Sequence, residues 1–274
     1  DTPRHLIGTA YFARCAEFMA ATADVLGKER DARRYRKLAA EVKTAFTDTF
    51  FTDTGRLNPE SVPIETQTAY LLALAFELVP DSMRAGALEN LERLIVEEAD
   101  GHLRTGFVGT PLLCPTLAHE GKADLAYSVL LKETYPSWLF SIHQGATTMW
   151  ERWNSYTKAD GFGDASMNSF NHYAYGAIGQ WTYEYIAGLA AAAPGYREIR
   201  IAPHPGGGLT QASAVLQTVY GTAKSAWRIE GDTMDLQVEI PPNTTAVVVL
   251  PDGKEKHVVS GKHSYSVTPI NRMR

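Results

Sequence analysis

The chain has 274 residues, 45% of them hydrophobic and 21% charged, a balance that provides a real core and excludes disorder as the main state. A formal net charge of -5, with no dense cluster of Lys and Arg, leaves no electrostatic footprint for nucleic acid or an anionic membrane as partner. Cys15 and Cys114 are the only cysteines, each in an apolar stretch, so neither a disulfide framework nor a thiolate metal site is read from them.

Asp1-Thr2-Pro3-Arg4 has neither an initiator Met nor the basic and apolar regions of a signal peptide, and the chain is expected to be cut from something longer. Ile7, Tyr11, Cys15, Phe18, Thr22 and Val25 recur at steps of three and four, predicting a helix with that stripe buried and Gly27 as its stop. Tyr35, Leu38, Val42 and Phe46 repeat the pattern, with Arg33, Arg34, Lys37 and Lys43 on a solvated side. After a loop at 58–63, residues 67–78 are apolar nearly all round, Pro80-Asp81-Ser82 acts as stop and cap, and Leu88, Leu91 and Ile95 mark an amphipathic helix. Further helices are predicted at 110–120, 122–133, 147–155 and 173–192, separated by short Gly- or Pro-containing connections. Helices apolar on most sides alternate with helices that carry one charged face, which predicts an inner and an outer ring, a toroid of hairpins. The longest weakly polar run, 186–194, is far short of the roughly 20 residues of a membrane-spanning helix.

Composition changes at Pro194-Gly195. Val occurs 7 times in residues 1–194 and 9 times in the remaining 80, where Gly206-Gly207-Gly208, Pro241-Pro242 and Asp252-Gly253 supply turns. Residues 195–274 are therefore expected to form a small antiparallel β-sandwich of about seven short strands, with a hairpin at Asp252-Gly253.

Four of the five Trp residues, Trp138, Trp150, Trp153 and Trp181, share one stretch with Glu151, Arg152, Asp164, Asn171 and His172. Flat apolar faces beside amides, carboxylates and imidazoles suit sugars, whose C–H faces stack on rings while their hydroxyls bridge polar groups. An ordinary aromatic core with satisfied polar groups explains the same composition. Glu151 stands between Trp150 and Arg152 at the expected start of the 147–155 helix. Desolvation by the indoles would make it a better base and a close arginine a worse one; without other information, the favoured reading has Glu151 and Arg152 facing different directions and Glu151 in a structural salt bridge. His172 reads as a hydroxyl ligand or a bonded core residue, and Gln67 as a buried amide satisfied by its neighbours. The histidines lack metal-ligand spacing, so no metal and no cofactor is expected.

Tyr135-Pro136-Ser137-Trp138, Gln144-Gly145-Ala146-Thr147-Thr148-Met149-Trp150-Glu151-Arg152-Trp153-Asn154-Ser155 and Ser169-Phe170-Asn171-His172-Tyr173-Ala174-Tyr175-Gly176 together resemble the bacterial α-L-rhamnosidases of glycoside hydrolase family 78. The likeness extends into Ile201-Ala202-Pro203 and Pro241-Pro242-Asn243-Thr244-Thr245-Ala246. It implies a mainly α chain with a β domain: residues 1–194 as a partial (α/α)6 toroid, about the last seven or eight of twelve helices, followed by the sandwich. It also implies inverting hydrolysis of terminal α-L-rhamnosides, with Glu151 as general base and His172 on the rhamnose. Trp138, Trp150 and Asn171 complete the expected substrate-binding set. Inversion needs a second carboxyl about 6.5–9.5 Å away to protonate the leaving oxygen. The family's acid segment precedes the residues that match Asp1, and Glu65, Glu17 and Asp164 lie outside any such motif. The isolated chain is thus expected to have little or no activity, with a rhamnose-containing glycoside as the partner of the parent enzyme, and to self-associate through its incomplete barrel or be marginally soluble. A non-catalytic carbohydrate-binding fragment, or an (α/α)6 glycosidase for another sugar, is the alternative.

Overall fold

The structure, a computed structural model, describes residues 2–268. The chain divides into two compact units, Asp1–Tyr175 and Gly176–Arg274. In the first, α1 (Arg4–Val25) and α2 (Glu29–Phe50) form a hairpin, followed by α3 (Gln67–Ala75) with α4 (Asp81–Val96), then α5 (Thr110–His119) with α6 (Ala123–Leu130), then α7 (Trp138–His143). Thr66 starts α3 and Ser137 starts α7, their side chains accepting from the backbone N–H of Ala69 and Phe140. Burial alternates as two rings require: every residue from Gln67 to Leu74 is buried, whereas α2 buries only Ala32, Ala39, Val42, Phe46 and Phe50. The unit is a partial (α/α)6 toroid. No helix among the described residues is long and apolar enough to cross a membrane.

The buried face of α1 differs from the expectation. Its seam is Leu6, Ala10, Ala13, Ala16, Ala20 and Ala23, while Tyr11, Phe18 and Val25 are 40%, 57% and 88% exposed and Cys15 is exposed as well. Small side chains let α1 approach its neighbours closely, so the larger residues that dominate the periodicity lie on the other face. With Phe12 and Met19 they form an exposed apolar ridge.

A succession of contacts links the segments that lead into α1, α3, α5 and α7. Thr2 Oγ1 meets Thr66 Oγ1 at 2.6 Å, ahead of α1 and α3. Gln67 reaches across to the 94–104 segment: its Nε2 donates to the carbonyls of Leu94 (3.2 Å) and His102 (3.1 Å), and its Oε1 accepts from Arg104 N–H (2.7 Å). His102 Nε2 in turn meets Thr134 Oγ1 at 2.7 Å, ahead of α7.

The predicted helix over 147–155 does not form. Met149 O accepts from His172 N–H, Glu151 N–H donates to Ser169 O, and Arg152 N–H goes to Ser155 Oγ. The backbone groups a helix would have paired internally are claimed instead by the returning 169–172 segment and by the local Ser155 side chain, which overrides the helical pattern. A two-residue hairpin, β1 (Tyr156–Thr157) with β2 (Gly161–Phe162), then turns the chain back.

In the second unit the predicted 173–192 helix is shorter: α8 (Ile178–Trp181) runs into a π-helical turn, Thr182–Ile186, and stops. Gly188 has φ +76°, and a Cβ there would lie 2.2 Å from Pro203 N, so the chain must reverse on a glycine. The alanine run that follows is β3 (Leu189–Ala191), paired with β4 (Glu198–Ile201). The sheet thus begins before the expected division at 194/195. β5 (Gln211–Thr218), β6 (Gly221–Glu230), β7 (Thr233–Val249) and β8 (Glu255–Val267) complete six strands in the order β3-β4-β7-β6-β5, with β8 on β7. All pairs are antiparallel except β4 with β7. The expected short strands at 236–240 and 246–250 are instead one long β7, shifted in register between Ile240 and Thr245. Its first half pairs with β6 and its second with β4, while β8 follows both halves. The β7–β8 turn holds Gly253 at φ +81°, with Lys254 Nζ on Asp252 Oδ2 at 2.7 Å.

Candidate active site

The hairpin excursion brings residues 169–172 back beside 148–151. Thr148 Oγ1 donates to Phe170 O (2.5 Å), His172 N–H to Met149 O (2.9 Å) and Glu151 N–H to Ser169 O (2.9 Å). Ser155, wholly buried, anchors the base of the excursion, its carbonyl accepting from Gly163 N–H (2.8 Å) and Asn168 Nδ2 (2.9 Å). Glu151 and His172 are held on adjoining segments in this way.

Glu151 is half-buried, and its Oε2 accepts the Ser169 N–H at 2.8 Å. Among the described residues it has no ion pair, and its Oε1 has no hydrogen-bond partner. The structural salt bridge expected for Glu151 is not formed among the described residues. Anchoring one carboxylate oxygen on a backbone donor fixes the plane of the group and leaves the other lone-pair site available to a proton donor. Burial pushes the Tyr175 phenol up from the ordinary value, the Tyr135 side chain adds to this, the Arg152 guanidinium opposes it and the Glu151 carboxylate adds a little more.

His172 Nδ1 accepts from Ala174 N–H at 3.4 Å. Its ring lies flat on Phe107, centroids 4.5 Å apart and planes 15° apart, and Phe107 also meets Tyr175 at 5.2 Å. Tyr175 stacks on Trp153 at 4.0 Å, and Trp153 meets Trp138 edge-on at 5.2 Å. An aromatic ladder therefore runs from the imidazole to Trp138, whose indole N–H donates to Tyr175 O at 2.9 Å. Trp138 and Trp150, each 6% exposed, line a cavity of about 330 Å³ with Trp153 and Tyr175, and Glu151, Asn171 and His172 are not in its wall. The Trp153 indole N–H is buried without a hydrogen-bond partner among the described residues. Asn171 is exposed on the returning segment.

The three other carboxylates considered as acids are each engaged. Glu65 accepts from Arg56 Nε and from Tyr70 OH, both at 2.9 Å, and pairs with Arg93. Burial pushes its carboxyl up, but the Arg56 and Tyr70 hydrogen bonds and the two guanidinium charges outweigh that and hold it below the ordinary range. Glu17 lies between Arg14 (3.2 Å) and Lys43 (2.5 Å). Asp164 accepts Ser166 N–H at 2.9 Å, and that bond holds its carboxyl low. A proton donor to a leaving group needs a raised carboxyl, the opposite of what Glu65 and Asp164 have.

Residues 1–186 match the family model described as bacterial alpha-L-rhamnosidase 6 hairpin glycosidase domain, and residues 188–265 match the bacterial alpha-L-rhamnosidase C-terminal domain. The chain belongs to the bacterial α-L-rhamnosidase family. It is 52% identical over 251 residues to an alpha-L-rhamnosidase of Formosa agariphila and 45% identical over 251 residues to one from an Alteromonas species, in both cases covering 92% of this chain and 27% of the relative. Among solved structures, the Streptomyces avermitilis alpha-L-rhamnosidase complexed with L-rhamnose superposes with a TM-score of 0.90 at 40% identity, over 98% of this chain and 27% of that one. The Aspergillus terreus enzyme gives 0.92 at 37% identity, over 98% and 31%. The chain thus spans about a quarter of the length of the curated relatives it matches.

Phe107 is the site residue that sequence reasoning missed. It lies outside the aromatic stretch, in the connection from α4 to α5, and its only local mark is the pair of glycines that bracket it, Gly106-Phe107-Val108-Gly109. Such brackets let a short loop place one bulky side chain where a regular element cannot.

Proposed function

We propose that the protein to which this chain contributes hydrolyses terminal α-L-rhamnosides with inversion, and that Glu151 is the general base that takes a proton from the attacking water. His172 and Asn171 hydrogen-bond the rhamnose hydroxyls, and Trp138 and Trp150 form the apolar wall of the binding region. The observation that carries this reading is the posture of Glu151: half-buried, unpaired with any cation among the described residues, and fixed at one oxygen by Ser169 N–H at 2.8 Å. A water held at Oε1 would lose its proton to an oriented carboxylate, a contribution of about 10²–10⁴ in rate.

The general acid, as the family resemblance implies, belongs to a part of the longer rhamnosidase outside this chain, and the engagement of Glu65, Glu17 and Asp164 with cations or a backbone donor supports that reading. The isolated chain therefore binds L-rhamnose and turns nothing over. Its exposed α1 ridge, with Phe12, Phe18 and Met19, drives association between copies. Calorimetric titration with L-rhamnose beside a chromogenic α-L-rhamnoside assay tests this. Heat with no turnover is expected; neither heat nor turnover, or equal response to a panel of other sugars, contradicts it.

A further inference from the structure

We infer that Phe107 is a positioning residue for His172, acting through the imidazole rather than on the sugar. The inference rests on the proposed role of His172 toward a hydroxyl, and its geometry stands independently. Contacts from different directions act on the imidazole, and the Tyr173 ring beside it also lies parallel to it, with centroids 5.9 Å apart. In its own plane, Nδ1 accepts the Ala174 N–H at 3.4 Å, and a neutral ring whose Nδ1 accepts carries its proton on Nε2, which then faces a hydroxyl as a donor. Across its face, the phenyl ring of Phe107 lies 4.5 Å away at 15°, opposing the tilt that the single long hydrogen bond permits.

Phe107 can do this because its loop is held elsewhere. Buried Gln67 grips the segment at Leu94, His102 and Arg104. Thr105 Oγ1 meets Thr110 Oγ1 at 2.7 Å across the loop. Gly109 packs so tightly that a Cβ would sit 2.5 Å from Thr68 Oγ1 and 3.0 Å from Thr105 Cγ2. A loop clamped at both ends presents Phe107 as a fixed plate 36% exposed at its outer side. The helical hairpins thereby control the orientation of a ring that lies on the distant 168–175 segment.

The test compares Phe107→Leu, which keeps bulk without a π face, with Phe107→Tyr, which keeps the face. In ¹⁵N-labelled protein, His172 of the unaltered chain is expected to show an Nδ1 without a proton and a protonated Nε2, with ring protons shielded by the phenyl. Phe107→Leu should move those protons downfield and shift the nitrogens toward a mixed tautomer, and Phe107→Tyr should restore both. Against L-rhamnose, Phe107→Leu should weaken binding about 3- to 10-fold, the range of an aromatic stacking contact. It should have no further effect once His172→Ala is present. Unchanged His172 resonances in Phe107→Leu overturn the inference. So does an equal loss of affinity from Phe107→Leu with and without His172, since Phe107 would then act on the sugar directly. If the unaltered chain gives no heat with rhamnose, the functional reading fails and the NMR arm still decides the positioning role.

Discussion

Replacing Gln67 by Leu keeps the side-chain volume and removes three hydrogen bonds from a residue 3% exposed. The Arg104 N–H loses its acceptor, and the Leu94 and His102 carbonyls lose a donor. Each net bond is worth about 1 kcal/mol, with more lost where the orphaned group stays buried, giving about 2–4 kcal/mol in all. For a unit of this size that is a fall in melting temperature of about 5–15 °C. Gln67→Glu separates hydrogen bonding from shape. It keeps an acceptor for Arg104 N–H but sets a carboxylate against two carbonyl oxygens, which raises the carboxyl in the folded state above its unfolded value. A group raised on folding contributes its stability below its unfolded pKa and loses it as pH rises through the folded one. Gln67→Glu should therefore approach the native melting temperature near pH 4 and fall away toward neutrality, whereas Gln67→Leu should be equally destabilised at both. Thermal unfolding by circular dichroism at pH 4, 5.5 and 7 reads this out. A Gln67→Leu variant within 2 °C of the native protein would refute the claim that this amide holds the loop.

The Glu65 carboxyl is held low in the fold, so its contribution is present above its unfolded pKa and is lost as pH falls through the folded one. Acid unfolding curves should show a stability loss below about pH 4 that Glu65→Gln largely abolishes. Cys114 is buried, its thiol pushed up to about 12, while Cys15 is exposed. A chromogenic disulfide reagent at pH 8 should titrate one thiol quickly and the second only on unfolding. Light scattering of the isolated chain should show association that Phe18→Glu with Met19→Glu reduces, and a stable monomer without those changes would remove the ridge as its cause.

The hairpins were legible because their signals are local: periodicity, Gly27, and Pro80 ahead of α4 all act within a few residues. The face of α1 was not, because its alanine seam is chosen by close approach to neighbours, a tertiary quantity to which the larger Tyr11 and Phe18 mislead. The 147–155 segment has a helical pattern and no helix, because its backbone groups are spent on 169–172. That same pairing juxtaposes Glu151 and His172, which stand 21 positions apart in the sequence. The motifs marked both residues, but the backbone hydrogen bonds that bring their segments together depend on a hairpin no pattern announced. Phe107 was invisible for a related reason: a lone Phe gains meaning only from the ring it meets.

The central claim is that Glu151 deprotonates the attacking water. It is tested most directly by Glu151→Gln in the longer rhamnosidase that carries this chain, with turnover of an aryl α-L-rhamnoside and affinity for L-rhamnose measured on the same preparation. The account predicts a loss of kcat of about 10²–10⁴ with rhamnose still bound within a few-fold of native affinity. Turnover within tenfold of the unaltered protein would contradict it.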